Sequence, residues 1–224
     1  MSILAAYDGD VWIDWSWVGD HGDEIVTHLR EHAELTALSI GLGLLIAVPL
    51  GLLAAFHPRV RGVTIAATGV LYTIPSLAAF ALLLPWTGLS RATAVIPLAS
   101  YTLLIIIRNI VAGIHGVPRE VREAATGMGY TSAARIGWVD IPLALPAMFA
   151  GLRIALVTVI GLIPVAALVG QGGLGRLMRD GFDRGFRTPL TVGIVLTVAL
   201  AVVCDLAVLL AQRVLMPWSR RRRA

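Results

Sequence analysis

Three groups of residues in this chain have the types and spacing to do chemistry. His28-Leu29-Arg30-Glu31-His32 sets two imidazoles four residues apart around a glutamate. On a helix both would share a face, as two zinc ligands of a peptidase do. No third ligand lies close by in sequence and the stretch is dense in charge, so a solvated polar helix face is the better reading and no metal is expected. Gly170-Gln171-Gly172-Gly173-Leu174-Gly175 has the outline of a phosphate-cradling loop. Such loops work between a strand and a helix, whereas an apolar run precedes these glycines, which favours a flexible or tight turn or a close helix approach. Arg108, Arg153 and Asp205 form the third group, charges set inside apolar runs. No Ser, His and Asp are spaced for a nucleophilic triad, and a chain without lysine has no Walker-type loop. The chain is therefore expected to have no catalytic residue, to be no enzyme, and to draw its energy from elsewhere.

The elements that must position these groups are apolar. Of 224 residues, 57% are hydrophobic and 14% charged, and the mean hydropathy is +0.82. These values exclude a disordered chain and argue against a water-soluble enzyme. Five apolar blocks, 35–56, 62–86, 92–114, 146–169 and 189–210, each reach the roughly 20 residues that a helix needs to cross a bilayer. Helices satisfy their own backbone there, so the expected fold is an all-α polytopic membrane protein with five transmembrane helices.

Orientation follows from the arginines, which make up all 18 basic residues. With the N-terminus outside, ten of them fall in inside segments (Arg59, Arg61, Arg119, Arg122, Arg135, Arg213 and Arg220 to Arg223) against six outside. That asymmetry predicts an N-out/C-in topology, although the outside stretch from Arg176 to Arg187 runs against it. The charge is scattered between apolar blocks rather than gathered on one solvated face, so the bilayer, and no nucleic acid, is the expected partner. Trp12, Trp15 and Trp17 precede the first block, and Trp86, Trp138 and Trp218 fall near block ends, as headgroup anchors would. Residues 1–34 read as an extracytoplasmic interfacial arm with no removable signal peptide, 35–212 as the transmembrane domain, and 213–224 as a basic cytoplasmic tail drawn to anionic lipid. Cys204 stands alone, which excludes an intrachain disulfide.

The stretch 115–145 differs from the rest. It is the longest inside segment and carries charge, and it opens Gly116-Val117-Pro118-Arg119-Glu120. Pro118 suits the start of a helix, Glu120 and Glu123 favour its positive end, and Gly127 and Gly129 stop it. The expected product is a short surface helix whose Ala124 and Ala125 present a shallow face that fits a groove on another protein. Glu123-Ala124-Ala125, Gly129 four residues on, and Val139-Asp140-Ile141-Pro142 resemble the E-A-A-x3-G-x9-I-x-L-P signature of ABC-importer permeases, with Val139 and Ile141 in place of the usual Ile and Leu. Tyr72-Thr73-Ile74-Pro75-Ser76-Leu77-Ala78, Ile107-Arg108-Asn109, Gly127-Met128-Gly129, residues 141–146 and the glycine run at 170–175 resemble the branch that serves osmoprotectants such as glycine betaine, choline, carnitine and proline betaine. The likeness covers roughly residues 35–212.

The resemblance implies a type I ABC-importer permease core in a bacterial plasma membrane, with no cofactor of its own. Its implied partners are an ATP-binding cassette subunit that uses ATP and magnesium, a second permease (the same or homologous), and an extracytoplasmic substrate-binding protein. On this footing Glu123, Ala124, Ala125, Gly129 and Pro142 couple to the ATPase, and Arg176, Arg179 and Arg184 meet the delivery protein. Arg108, Asn109, Arg153 and Asp205 are candidates for an inner gate, with a structural ion pair as the plainer alternative; Asp205 has either arginine within reach of its depth. Tyr72 and Tyr101 are candidates for a weak cation contact on the pathway, with core packing as the plainer role. Competing readings are a permease of the same type for another small solute such as an amino acid, a stand-alone secondary transporter, and a membrane zinc peptidase built on His28 and His32.

Overall fold

The computed structural model describes residues 12–218, so the first eleven residues of the expected arm and Arg220 to Arg223 of the tail lie outside the described residues. Ten α-helices appear among those residues, and no strand: α1 Trp15–Asp20, α2 Gly22–Phe56, α3 Pro58–Thr73, α4 Ser76–Thr87, α5 Arg91–His115, α6 Arg119–Gly127, α7 Ser132–Arg135, α8 Ile141–Leu162, α9 Leu174–Arg184 and α10 Arg187–Leu215. A π-helical turn, Ile136–Asp140, leads into α8, and a 3-10 stretch, Ile163–Val169, follows it. Four continuous runs are long and apolar enough to cross a membrane, namely Gly22–Phe56, Arg91–His115, Ser132–Val169 and Arg187–Leu215. The bent pair of α3 and α4 brings the number to five if it counts as one span.

Three of the expected blocks differ from these runs; the fourth, expected from position 146, starts at Ser132 because α7 and the π turn lead straight into α8. The first begins thirteen residues earlier than position 35, because residues 22–34 form the opening turns of α2; Asp23 and Glu24 sit in the first turn, where the helix dipole favours them. The second block is broken: α3 and α4 meet at a bend of 93°. Pro75 lacks an N–H to continue α3 and disfavours helical backbone at Ile74. Hydropathy registers the length of an apolar run and is blind to such a bend.

The chain divides into two compact units. One comprises 1–42, 74–99 and 157–204. Its core holds Ile25 of α2 against Leu174 and Leu177 of α9, flanked by Trp17, Val18, Leu29, Val192 and Leu196. Asp14 caps α1 by accepting from the backbone N–H groups of Ser16 and Trp17, and its own N–H donates to the Thr188 hydroxyl. The Ser16 hydroxyl bonds the same carboxylate and holds it below its ordinary pKa.

The second unit comprises 43–73, 100–156 and 205–224. Here α5 supplies the buried residues Leu103, Leu104, Ile106, Ile107, Ile110, Val111 and Ile114. Small residues let neighbours come close to it. A Cβ added at Gly51 of α2 would lie 2.8 Å from the Ile110 side chain, one at Gly113 would lie 2.9 Å from the Ala144 carbonyl of α8, and one at Gly151 would lie 2.5 Å from Asn109 Cβ. Helices in lipid pack by such close approach, since apolar contact with a neighbour gains little over contact with acyl chains. The two ends of the scale are α5, with 72% of its apolar window buried, and α10, with 6%. The apolar side chains of α10 are left largely uncovered by the rest of this chain.

Candidate functional site

The short helix α6 is bounded as its residues dictate. Pro118 precedes it at φ −57, Glu120 lies in its first turn, and it stops at Gly127. Gly129 takes φ +87, where a β-carbon is disfavoured, and the turn is closed by Met128 N–H to Ala124 O and Tyr130 N–H to Ala125 O. Ala125 is only 2% exposed and packs inward, while Glu120, Glu123 and Ala124 of α6, and Met128 just after it, are among the exposed residues. Glu123 is held by Arg119 Nε at 2.6 Å within the same helix.

Inward, α6 is fastened by a residue that the sequence left as one charge among several. Asp140, at the end of the π turn, is 1% exposed. Its Oδ1 accepts from Arg122 Nε at 2.8 Å, while Arg135 Nε stands 3.6 Å from Oδ2. Arg122 also donates to the carbonyl of Ile114, near the end of α5, at 2.5 Å. The signal was present in sequence: Asp140 is the only carboxylate between Glu123 and Asp180. Its partner lies eighteen residues away, beyond any helical periodicity. Pro142 follows as the second residue of α8, directly after the π turn, and it has no N–H to donate back into that turn.

Among the charges in apolar runs, Asp205 pairs with Arg153. The contact is bidentate, Nε to Oδ1 at 2.7 Å and the terminal nitrogen to Oδ2 at 2.6 Å, the fork geometry that suits guanidinium to carboxylate. It fastens α8 to α10. Arg108 is exposed and lies outside this pair. Asn109 donates to Ile105 O at 2.8 Å within α5 and packs against Gly151. Tyr72 and Tyr101 meet edge to face, with centroids 6.0 Å apart and planes at 84°. Tyr101 is buried; Tyr72 keeps 42% of its surface exposed.

The glycine run at 170–175 is a packed turn. Gly170, Gly172 and Gly173 all have positive φ, and a Cβ at Gly173 would lie 2.6 Å from the backbone nitrogen of His32. Gln171 closes the turn by donating to Leu89 O at 3.0 Å. His32 is fully buried with Nε2 3.1 Å from Ile160 O, whereas His28 faces Glu24 and Glu31. The two imidazoles therefore have separate partners. The α9 helix buries Leu174, Gly175, Leu177 and Gly181 and turns its arginines outward. Each has an internal partner: Arg176 with Glu31 at 3.1 Å, Arg179 with Asp183 at 3.4 Å, and Arg184 with Asp180 at 2.8 Å. Glu34 takes Arg91 at 3.1 Å and Arg30 at 3.3 Å beside them.

Long apolar helices, a short charged helix bearing an exposed Glu-Ala pair and a glycine stop, and an ion pair that joins two of the long helices describe a transport subunit of a membrane rather than a catalyst. Residues 47–221 match the family described as "Binding-protein-dependent transport system inner membrane component", and the chain belongs to that family. It is a non-enzymatic, multi-pass permease subunit of the plasma membrane. It is 38% identical over 203 residues to the osmoprotectant import permease protein OsmW of Salmonella typhimurium, covering 88% of this chain and 94% of that protein. Against the choline transport system permease protein OpuBB of Bacillus subtilis the identity is 33%, with 90% and 93% covered. Among solved structures, the inward-facing MetNI methionine ABC transporter superposes with a TM-score of 0.73 at 25% identity, covering 83% of this chain and 93% of that one.

Proposed function

We propose that this permease imports quaternary-ammonium osmoprotectants of the glycine betaine and choline type. An ATP-binding cassette subunit that consumes ATP and magnesium drives it, and an extracytoplasmic binding protein feeds it. The observation that carries the reading is the outward surface of α6, where Glu123, Ala124 and Gly129 stand exposed in the signature spacing. Ala125 seats that helix and Pro142 opens the span behind it. Relatives named for osmoprotectant, choline, carnitine and glycine betaine transport support the substrate class. The topology proposed is five spans, counting α3 and α4 as one, N-out/C-in, with a second permease copy or homologue completing the pathway. Arg176, Arg179 and Arg184 on α9 are the proposed contacts for the binding protein. Arg108, exposed and outside the Arg153–Asp205 pair, is the proposed gate charge beside Asn109. Half-exposed Tyr72, backed by Tyr101, offers an aromatic face to a passing ammonium.

The test is a mild-detergent pull-down of the tagged chain from its native membranes, with uptake measured in parallel. An ATPase subunit recovered with wild type and lost with Glu123→Arg and Gly129→Leu supports the reading, provided both variants insert normally. Uptake of labelled glycine betaine or choline that stops with ATP depletion supports the substrate class. A chain that purifies alone and transports in liposomes on an ion gradient overturns it.

A further inference from the structure

Glycines flank α6 on both sides: Gly116-Val117-Pro118 precedes it, and Gly127-Met128-Gly129 follows with Gly129 at φ +87. The backbone turns there are bonded locally, Val117 N–H to Ile114 O and Tyr130 N–H to Ala125 O. Side chains add a second connection between α6 and the helices on either side. Arg122 reaches back to Ile114 O at 2.5 Å, near the C-terminus of α5, and forward to Asp140 at 2.8 Å, at the entry to α8. By contrast, the Arg119–Glu123 pair lies within α6, is exposed on both sides, and joins nothing to anything else.

We propose that Arg122 and Asp140 are positioning residues that clamp α6 to the ends of α5 and α8, so that displacement of α6 by the ATPase subunit is passed to both spans as one movement. The proposal rests on α6 being the ATPase-docking helix. Asp140 is 1% exposed, and of its two arginines only Arg122 is within hydrogen-bond reach. Removing Arg122 leaves the buried Asp140 with Arg135 alone, 3.6 Å away, and removing Asp140 leaves Arg122 tied only to Ile114 O; either change unfastens α6 from at least one of the two spans. Docking on Glu123 and Ala124 continues, since those side chains point the other way. What is lost is transmission: ATP is hydrolysed and the spans do not follow.

The experiment uses the whole complex, permease with its ATPase subunit and binding protein, reconstituted in liposomes. Glycine betaine uptake and ATP hydrolysis are read from the same preparation. Asp140→Asn and Arg122→Gln should keep the ATPase subunit bound while substrate moved per ATP falls by about tenfold or more, the size of a lost inter-site coupling. The charge-exchanged double variant Arg122→Asp/Asp140→Arg should recover at most part of that ratio, because a carboxylate at 122 cannot donate to Ile114 O and the link to α5 stays broken. An unchanged ratio in both single variants overturns the clamp. So does loss of the ATPase subunit from the single variants, which would make the pair a folding element. If wild type binds no ATPase subunit at all, the docking reading fails first, and the clamp falls with it.

Discussion

The crossing of α5 and α8 at Asn109 and Gly151 gives a prediction whose size can be worked from distances. In Gly151→Ala the new Cβ would stand 2.5 Å from Asn109 Cβ, 2.8 Å from its Cγ and 3.0 Å from its Nδ2. Carbon pairs rest at about 3.5–4.0 Å, so the gap is short by roughly 1 Å at an atom fixed to the α5 backbone. Asn109 has no easy way to swing aside, because its amide is tied to Ile105 O at 2.8 Å. The helices must separate or bend, and overpacking of this kind costs about 1–3 kcal/mol. Alanine also gains about 1 kcal/mol of helix propensity over glycine, which would mask part of the loss. Gly41→Ala in α2 isolates the two effects, since Gly41 has nothing within 4 Å and takes the propensity gain alone. Melting of the detergent-solubilised variants should place Gly151→Ala below Gly41→Ala by about 2–12 °C, at roughly 2–4 °C per kcal/mol for a chain of this size. Adding Asn109→Gly to Gly151→Ala should close most of that gap. Equal melting of the two alanine variants, or no recovery with Asn109→Gly, refutes the close crossing.

Two further outcomes follow from the other unit. Gly173→Ala should sharply lower the yield of folded protein in membranes. Its φ of +50 disfavours a side chain, and its Cβ would meet the His32 backbone at 2.6 Å; normal yield and melting would show that the turn does not rest on His32. Charge reversal of Arg184 should weaken capture of the binding protein by the solubilised permease while leaving melting nearly unchanged, because its exposed i,i+4 pair with Asp180 contributes little to stability; reversal of Arg179 should weaken capture too and lower melting, since it also donates to Ala167 O at 2.9 Å. Undiminished affinity at low salt would remove α9 from the docking surface.

How far the sequence could be read depended on whether a feature is local. The bounds of α6 came from Pro118, Gly127 and Gly129, residues that act on their own backbone. Apolar blocks announced the long helices for the same reason. Partners distant in sequence were not legible. Arg108 and Arg153 stood equally ready for Asp205, and only the register of α8 against α10 decides for Arg153. The glycines at 172 and 173 advertised freedom of φ, but nothing nearby in sequence says that His32 fills the space beside them. Asp140 was visible as a charge, yet its burial depends on how the π turn aims it at Arg122. On α9, helical spacing offers Arg179 and Arg184 their partners Asp183 and Asp180, whereas the partner of Arg176, Glu31, lies 145 positions away.

The bidentate tie between Arg153 and Asp205 also sorts the ion pairs of this molecule by their response to ionic strength. The Debye length shrinks from about 8 Å in ordinary cytoplasm to about 3 Å at molar salt. Pairs that stand in water, such as Arg119 with Glu123 at 87% and 62% exposure, weaken as a dehydrating cell concentrates its ions. Arg153 and Asp205 are only 32% and 26% exposed and are joined through both carboxylate oxygens, so the link between α8 and α10 is screened less than pairs that stand in water. Rising salinity, the condition an osmoprotectant importer has to work under, therefore loosens the outer ion pairs of this molecule before it loosens that one.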